Sequence, residues 1–126
     1  MKAGSPVRPI LMVDDSPSLR LLLGAALSAG GFAVAEADDG VTALEWLSAN
    51  DPALVITDIT MPRLDGFSFI AQLRTQQRFR DTPVLALTTE AAPDKKDRAR
   101  AAGATGWISK PFDPDKLNTA VRRILD

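Results

Sequence analysis

The chain has 126 residues, of which 45% are hydrophobic and 25% charged, with a formal net charge of −1. One domain with a real core is expected, and no long like-charge block suggests a nucleic-acid surface or an acidic tail. There is no cysteine and no histidine, which excludes disulfides, thiolate or His-ligated metal sites, Ser-His-Asp triads and a phosphohistidine formed on this chain.

Residues 1–7 read as an N-terminal tail of a single domain spanning 1–126. They lack the apolar core of a signal peptide, and no stretch is long enough to span a membrane. A cytoplasmic, monomeric protein without membrane insertion is expected. The apolar run Ile10, Leu11, Met12 and Val13 predicts a first strand over about 8–14, ending on Asp14 and Asp15. A helix over about 16–29 follows, with Leu19, Leu22, Leu23, Ala26 and Leu27 at helical spacing and Gly30 and Gly31 as its stop. A second strand is predicted over about 33–37 and a second helix over about 40–49, with Val41, Leu44 and Leu47 facing inward. The third strand, about 53–58, ends on Asp58; the third helix, about 66–77, carries Phe67, Ile70 and Leu73. The fourth strand, about 83–88, ends on Thr88, and its helix, about 93–102, stops at Gly103. The fifth strand, about 105–109, is followed by Lys110. The last helix, about 114–125, has Asp113 as N-cap, Pro114 in its first turn, and Leu117, Val121, Ile124 and Leu125 facing the core.

Five strand–helix units imply a parallel sheet covered on both faces. Right-handed crossovers favour a three-layer, doubly wound α/β fold. In such a sheet the carboxyl ends of all strands open on one face, where ligands bind. Asp14, Asp15, Asp58, Thr88 and Lys110 all fall at those ends. Three carboxylates suit Mg²⁺, which takes oxygen ligands and keeps several waters. Without a cation they repel: two charges about 4 Å apart at an effective dielectric of 20 interact by roughly 4 kcal/mol. A carboxylate can also attack phosphorus and form an aspartyl phosphate, with Lys110 as a compact point charge beside it.

Each residue also has a plain structural use. Asp15 or Ser16 can cap the first helix at Pro17, Asp58 can be a turn residue, and a lysine before proline can be merely solvated. Their coincidence at one end of one sheet weighs against that. Thr89 competes with Thr88 as the hydroxyl of the site, and spacing favours Thr88 because it directly follows the apolar run.

The motifs Val13-Asp14-Asp15-Ser16, Asp58 with Met61-Pro62 and Asp65-Gly66, Leu87-Thr88-Thr89-Glu90, Ala101 through Trp107, and Lys110-Pro111-Phe112 occur in a specific order and spacing. Together they resemble the receiver domain of two-component response regulators, most closely the single-domain chemotaxis type, over nearly the whole chain. The resemblance implies a flavodoxin-like, CheY-like (βα)5 fold with a five-stranded sheet of order 2-1-3-4-5. It implies that Asp58 is the phosphoacceptor. Asp15 would be a direct Mg²⁺ ligand, Asp14 a water-mediated one, and Thr60 would lend its backbone carbonyl. Thr88 would be the switch hydroxyl, Lys110 the family's lysine, and the Lys110–Pro111 bond cis. Trp107 stands at the aromatic switch position, often Tyr or Phe, and Thr60 and Glu90 stand at positions that tune dephosphorylation.

The implied function is a phosphoacceptor signalling protein, catalysing only its own phosphorylation and dephosphorylation. A partner histidine kinase of the CheA type would supply the phosphoryl group. The output face would be the fourth helix, fifth strand and fifth helix, where Lys95, Lys96, Arg98, Lys116 and Arg122 suit an acidic segment of a flagellar switch protein or another output protein. A phosphate sink or a non-motility phosphorelay receiver is the alternative. An aspartyl-nucleophile phosphatase is less favoured, because Asp14-Asp15-Ser16 lacks the D-x-D pattern of haloacid dehalogenase-like enzymes. A flavin-binding flavodoxin is also disfavoured, since no hydroxyl-rich phosphate loop follows the first strand.

Overall fold

The computed structural model describes residues 8–89 and 93–125. Strands and helices alternate: β1 (Ile10–Val13), α1 (Pro17–Ala29), β2 (Val34–Ala37), α2 (Gly40–Leu47), β3 (Leu54–Asp58), α3 (Gly66–Thr75), a 3-10 turn (Gln77–Phe79), β4 (Val84–Thr89), α4 (Pro93–Ala102), β5 (Gly106–Lys110) and α5 (Pro114–Leu125). All neighbouring strands are parallel, in the order β2-β1-β3-β4-β5. The expected doubly wound architecture is therefore present.

Side chains alternate across the strands and feed two cores. Leu11 and Val13 of β1 join Val55 of β3 under α2 and α3, against Ala43, Leu47, Phe69, Ile70 and Leu73. Ile10 and Met12 join Ile56 and Leu87 on the other face, against Leu23 and Leu27 of α1 and Leu117 and Val121 of α5. Helix α4 is held more lightly. Ala99 is its buried residue, and it packs with Ile59 and Ala86 beneath Phe67 and Trp107.

The helix starts follow from side-chain caps, which satisfy otherwise orphaned N–H groups. Ser16 Oγ accepts from Leu19 N–H at 3.2 Å, Asp39 Oδ1 from Thr42 N–H at 2.8 Å, and Asp65 Oδ1 from Ser68 N–H at 2.8 Å. Asp113 Oδ1 accepts from the N–H groups of Asp115 and Lys116, as its position before Pro114 predicted.

Some inward faces differ from the expected ones. Leu22 is 61% exposed, so the core stripe of α1 is Leu19, Leu23, Ala26 and Leu27. Leu22 sits three residues after Leu19 and falls off the edge of that stripe. In α2 the buried residues are Gly40, Ala43 and Leu47, while Val41 and Leu44 are half-buried. In α3, Phe69 enters the core and Phe67 turns instead toward α4. The tail over 1–7 lies outside the described residues. Among the described residues no helix is long and apolar enough to cross a membrane.

Candidate functional site

The pairing of β1 with β3 sets Val13 opposite Thr57. Asp14 and Asp58 follow directly, so the two acids meet at the mouth of adjacent strands. The strand order reverses here, because β1 also pairs β2, and the departing helices leave a crevice. Lys110 arrives from the far edge, at the end of β5. Its Nζ lies 2.8 Å from Asp58 Oδ1 and 3.6 Å from Asp14 Oδ2. The Lys110–Pro111 peptide is cis.

Several backbone contacts fix the acids. Asp58 Oδ1 also accepts from Ile59 N–H at 2.8 Å, and Asp14 Oδ1 from Ser16 N–H at 2.8 Å. Arg20 holds the Asp14 carbonyl at 2.5 Å through Nη1 and pairs with Glu36 at 2.9 Å through Nε. Gly66 packs so closely on β3 that a Cβ there would overlap the Asp58 carbonyl and the Ile59 Cα. The cap of α1 is Ser16, which leaves the exposed Asp15 carboxylate available to the site.

Asp14 is only 1% exposed, and its Oδ2 has no hydrogen-bond partner. Burial pushes its carboxyl above the ordinary carboxylate range, against the Ser16 N–H bond that pulls it down; the nearby Asp58 and Asp15 charges push the same way as burial and Lys110 opposes them. A buried carboxylate oxygen without a donor is suited to a cation. Asp14, Asp15 and Asp58 each offer an oxygen, and these oxygens lie within 4.8 Å of one another. A cluster of three carboxylates this close fits the oxygen chemistry of Mg²⁺, which takes one or two carboxylates and keeps several waters.

A cavity of about 160 Å³ opens onto this cluster, lined by Asp58, Thr60, Thr88, Lys95 and Lys110. Thr88 is buried on the site side of β4. The side chain of its competitor Thr89 and the whole of Glu90 lie outside the described residues.

Trp107 is half-buried on β5, opposite Ala86 of β4. Lys96 Nζ and the Arg100 guanidinium lie 5.3 and 5.2 Å from its ring centroid. A groove of about 320 Å³ beside it is lined by Trp107, Ser109, Pro111, Phe112 and Lys116. The five cations expected on this face divide. Lys96 and Lys116 belong to it, but Arg98 stacks on Phe67 of α3 at 4.1 Å and Arg122 donates to the Gly30 carbonyl at the end of α1. Lys95 turns into the cavity at Asp58. Arg100 was missed, since the phase of a mostly polar helix is not fixed by an apolar stripe.

The pair Arg63–Asp39 was also missed. Arg63, on the loop after Asp58, donates to Asp39 Oδ2 at 2.6 Å. This contact draws the Asp39 carboxyl down to about 2, with burial opposing and the Thr42 bonds assisting.

The response regulator receiver domain family matches residues 10–122. The chain is similar to response regulator Rre1 of Synechocystis, 39% identical over 92% of this chain and 51% of that protein. It is similar to chemotaxis protein CheY1 of Helicobacter pylori, 36% identical over 92% of this chain and 95% of that one. The chain thus spans about half the length of Rre1 and nearly all of CheY1. Among solved structures, the chemotaxis response regulator CheY4 of Vibrio cholerae superimposes with a TM-score of 0.88 at 39% identity, covering 95% of this chain and all of that one.

Proposed function

This chain belongs to the response regulator receiver family, and on that premise we propose that it is a phosphorylation-controlled binding module with Asp58 as phosphoacceptor. The observation that carries the reading is the Asp58 carboxylate, held 2.8 Å from Lys110 at a strand mouth beside two further acids.

In the proposed reaction an Asp58 carboxylate oxygen forms the new bond to phosphorus. The bond from phosphorus to the donor breaks, and its electron pair leaves with the donor. The chain has no histidine, so a phosphohistidine donor belongs to a partner kinase. Asp14, Asp15 and Asp58, with the Thr60 carbonyl, would hold Mg²⁺. That ion would offset charge on the transferring oxygens. Lys110 pairs with the Asp58 carboxylate before transfer and with a phosphoryl oxygen after it. The Thr88 hydroxyl donates to another phosphoryl oxygen, and Thr60 and Glu90 set the rate of hydrolysis.

The switch is electrostatic at its origin. Phosphorylation exchanges one negative charge at Asp58 for about two, with three acceptor oxygens. Thr88 lies on β4, Lys110 lies on β5 with Trp107, and α4 connects the two strands, so their movement alters the α4–β5–α5 face. A target binding that face shifts the equilibrium by its differential affinity for the two states. The likeness to CheY1 and CheY4 favours chemotaxis as the setting and a flagellar switch protein as the target.

The test is incubation with Mg²⁺ and acetyl phosphate, followed by intact mass. The wild-type chain gains one labile phosphoryl group and Asp58→Asn gains none. Steady hydrolysis of varied phosphate esters without an adduct would instead mark a phosphatase.

A further inference from the structure

We propose that Lys95 is a second cation of the phosphoryl site, which contacts the phosphoryl group on Asp58 and draws α4 toward it; this rests on the function proposed above. The residue lies at the start of α4, half-buried, and lines the same cavity as Asp58, Thr60, Thr88 and Lys110. The other basic residues of α4 are engaged elsewhere: Lys96 and Arg100 with the Trp107 ring, Arg98 with Phe67. Among the described residues no carboxylate lies within ion-pair distance of Lys95. Among those residues its charge is therefore not spent on a neighbouring acid, and the cavity that it lines is the one at Asp58.

Charge counting gives that amine a state-dependent role. Before transfer, the three acids are balanced by a divalent cation and Lys110, and Lys95 is surplus. After transfer, Asp14, Asp15 and a phosphoryl group bring about four negative charges. The divalent cation and Lys110 return three of them, and Lys95 supplies the fourth. The attraction of Lys95 to the site is thus stronger in the phosphorylated state, which is the condition for shifting an equilibrium.

The placement of Lys95 also provides the coupling. Lys95 and Ala99 are four residues apart and share a side of α4, and Ala99 is the buried residue by which the helix is held. Lys96, the next residue, and Arg100 cover the Trp107 ring. A pull on Lys95 therefore shifts the helix that carries both cations over Trp107. This route needs no inward rotation of the indole.

The experiment uses a Trp46→Phe background, so that of the chain's two tryptophans only Trp107 reports. Lys95→Gln and Lys95→Arg are compared with the parent. Phosphorylation by acetyl phosphate is followed by intact mass, and Mg²⁺ binding without donor by Trp107 fluorescence. Removal of a surplus cation moves the two readouts in opposite directions. Lys95→Gln slows adduct formation about three- to tenfold while tightening Mg²⁺ binding about two- to threefold, and Lys95→Arg restores both. Unchanged rates in Lys95→Gln, or rate and Mg²⁺ affinity falling together as in a damaged site, would overturn the proposal while the phosphoacceptor reading stands. A parent chain that gains no phosphoryl group overturns both.

Discussion

Arg63 bridges from the β3–α3 loop to α2, its Nε 2.6 Å from Asp39 Oδ2 and its Nη2 3.2 Å from Thr42 Oγ1. Asp39 in turn caps α2. The loop that follows Asp58, and that carries Thr60, is thus tied to the opposite helix by one side chain. Arg63 makes this tie from a left-handed backbone, φ 66°, which favours glycine. Two substitutions separate the contributions. Arg63→Ala loses the bridge and keeps the unfavourable backbone, whereas Arg63→Gly loses the bridge and relieves it. Thermal melts should place both below the wild type, with the alanine variant lower by about 2–5 °C. Mg²⁺ affinity should fall in both if the bridge positions the loop.

The same bridge makes a pH prediction. The Asp39 carboxyl is depressed from its ordinary 3.8 to about 2. A group with a depressed folded value stabilises the fold above its unfolded value and loses that contribution as pH falls through the folded one. The Asp39 contribution is therefore complete above about pH 4 and is lost on acidification toward pH 2. Urea midpoints measured from pH 5 to pH 2.5 should fall less steeply in Asp39→Asn than in the wild type. Asparagine still caps α2, so the cap itself is retained.

The residues legible in the sequence were those marked by a change in local pattern. Asp14 and Asp58 each end an apolar run, so the strand end and the acid are read together. Lys110 is read the same way, from the end of the fifth strand. What was not legible depends on helix phase or on distant pairing. Leu22 satisfies an i, i+3 relation to Leu19, yet only Leu23, at i+4, lies inside the stripe. The sequence of α4 offers several basic residues, and only Ala99, buried against Ile59 and Ala86, decides which cations face Asp58, Trp107 or Phe67. Arg63 and Asp39 are 24 residues apart, and no local pattern announces their contact.

The α1 phase can be tested by stability alone. Leu23 is completely buried, while Leu21 and Leu22 are 74% and 61% exposed. Leu23→Ala should cost about 2–5 kcal/mol through lost burial and a residual cavity. Leu21→Ala and Leu22→Ala should each stay within about 0.5 kcal/mol of wild type in urea unfolding.

Gly66 gives a sharper test of how the fold builds the site. A Cβ there meets backbone atoms of Asp58 and Ile59, which cannot move aside as a side-chain tip can. The Gly66 N–H also donates to the Ile59 carbonyl at 2.8 Å, fixing the close approach. Gly66→Ala should cost about 1–3 kcal/mol from overpacking and displace the end of β3. The displacement should appear as weaker Mg²⁺ binding in a fluorescence titration at a temperature where the variant is fully folded.

Asp14 should show stability and function pulling apart. Its carboxylate is buried beside two other acids, with one oxygen lacking a hydrogen-bond partner. A raised folded value means that, without metal, the ionised form destabilises the fold above that value, and the penalty disappears on acidification below the ordinary 3.8. Asp14→Asn removes the charge while keeping the shape and an oxygen that can accept the Ser16 N–H. In EDTA at neutral pH the variant should therefore melt above the wild type, by about 1 kcal/mol of added stability, a size typical when a strained functional group is relieved. Saturating Mg²⁺ should narrow or reverse the gap, because the ion stabilises the chain that binds it more tightly. A variant that melts lower than wild type in EDTA would show that Lys110 and the Ser16 N–H already compensate the buried charge.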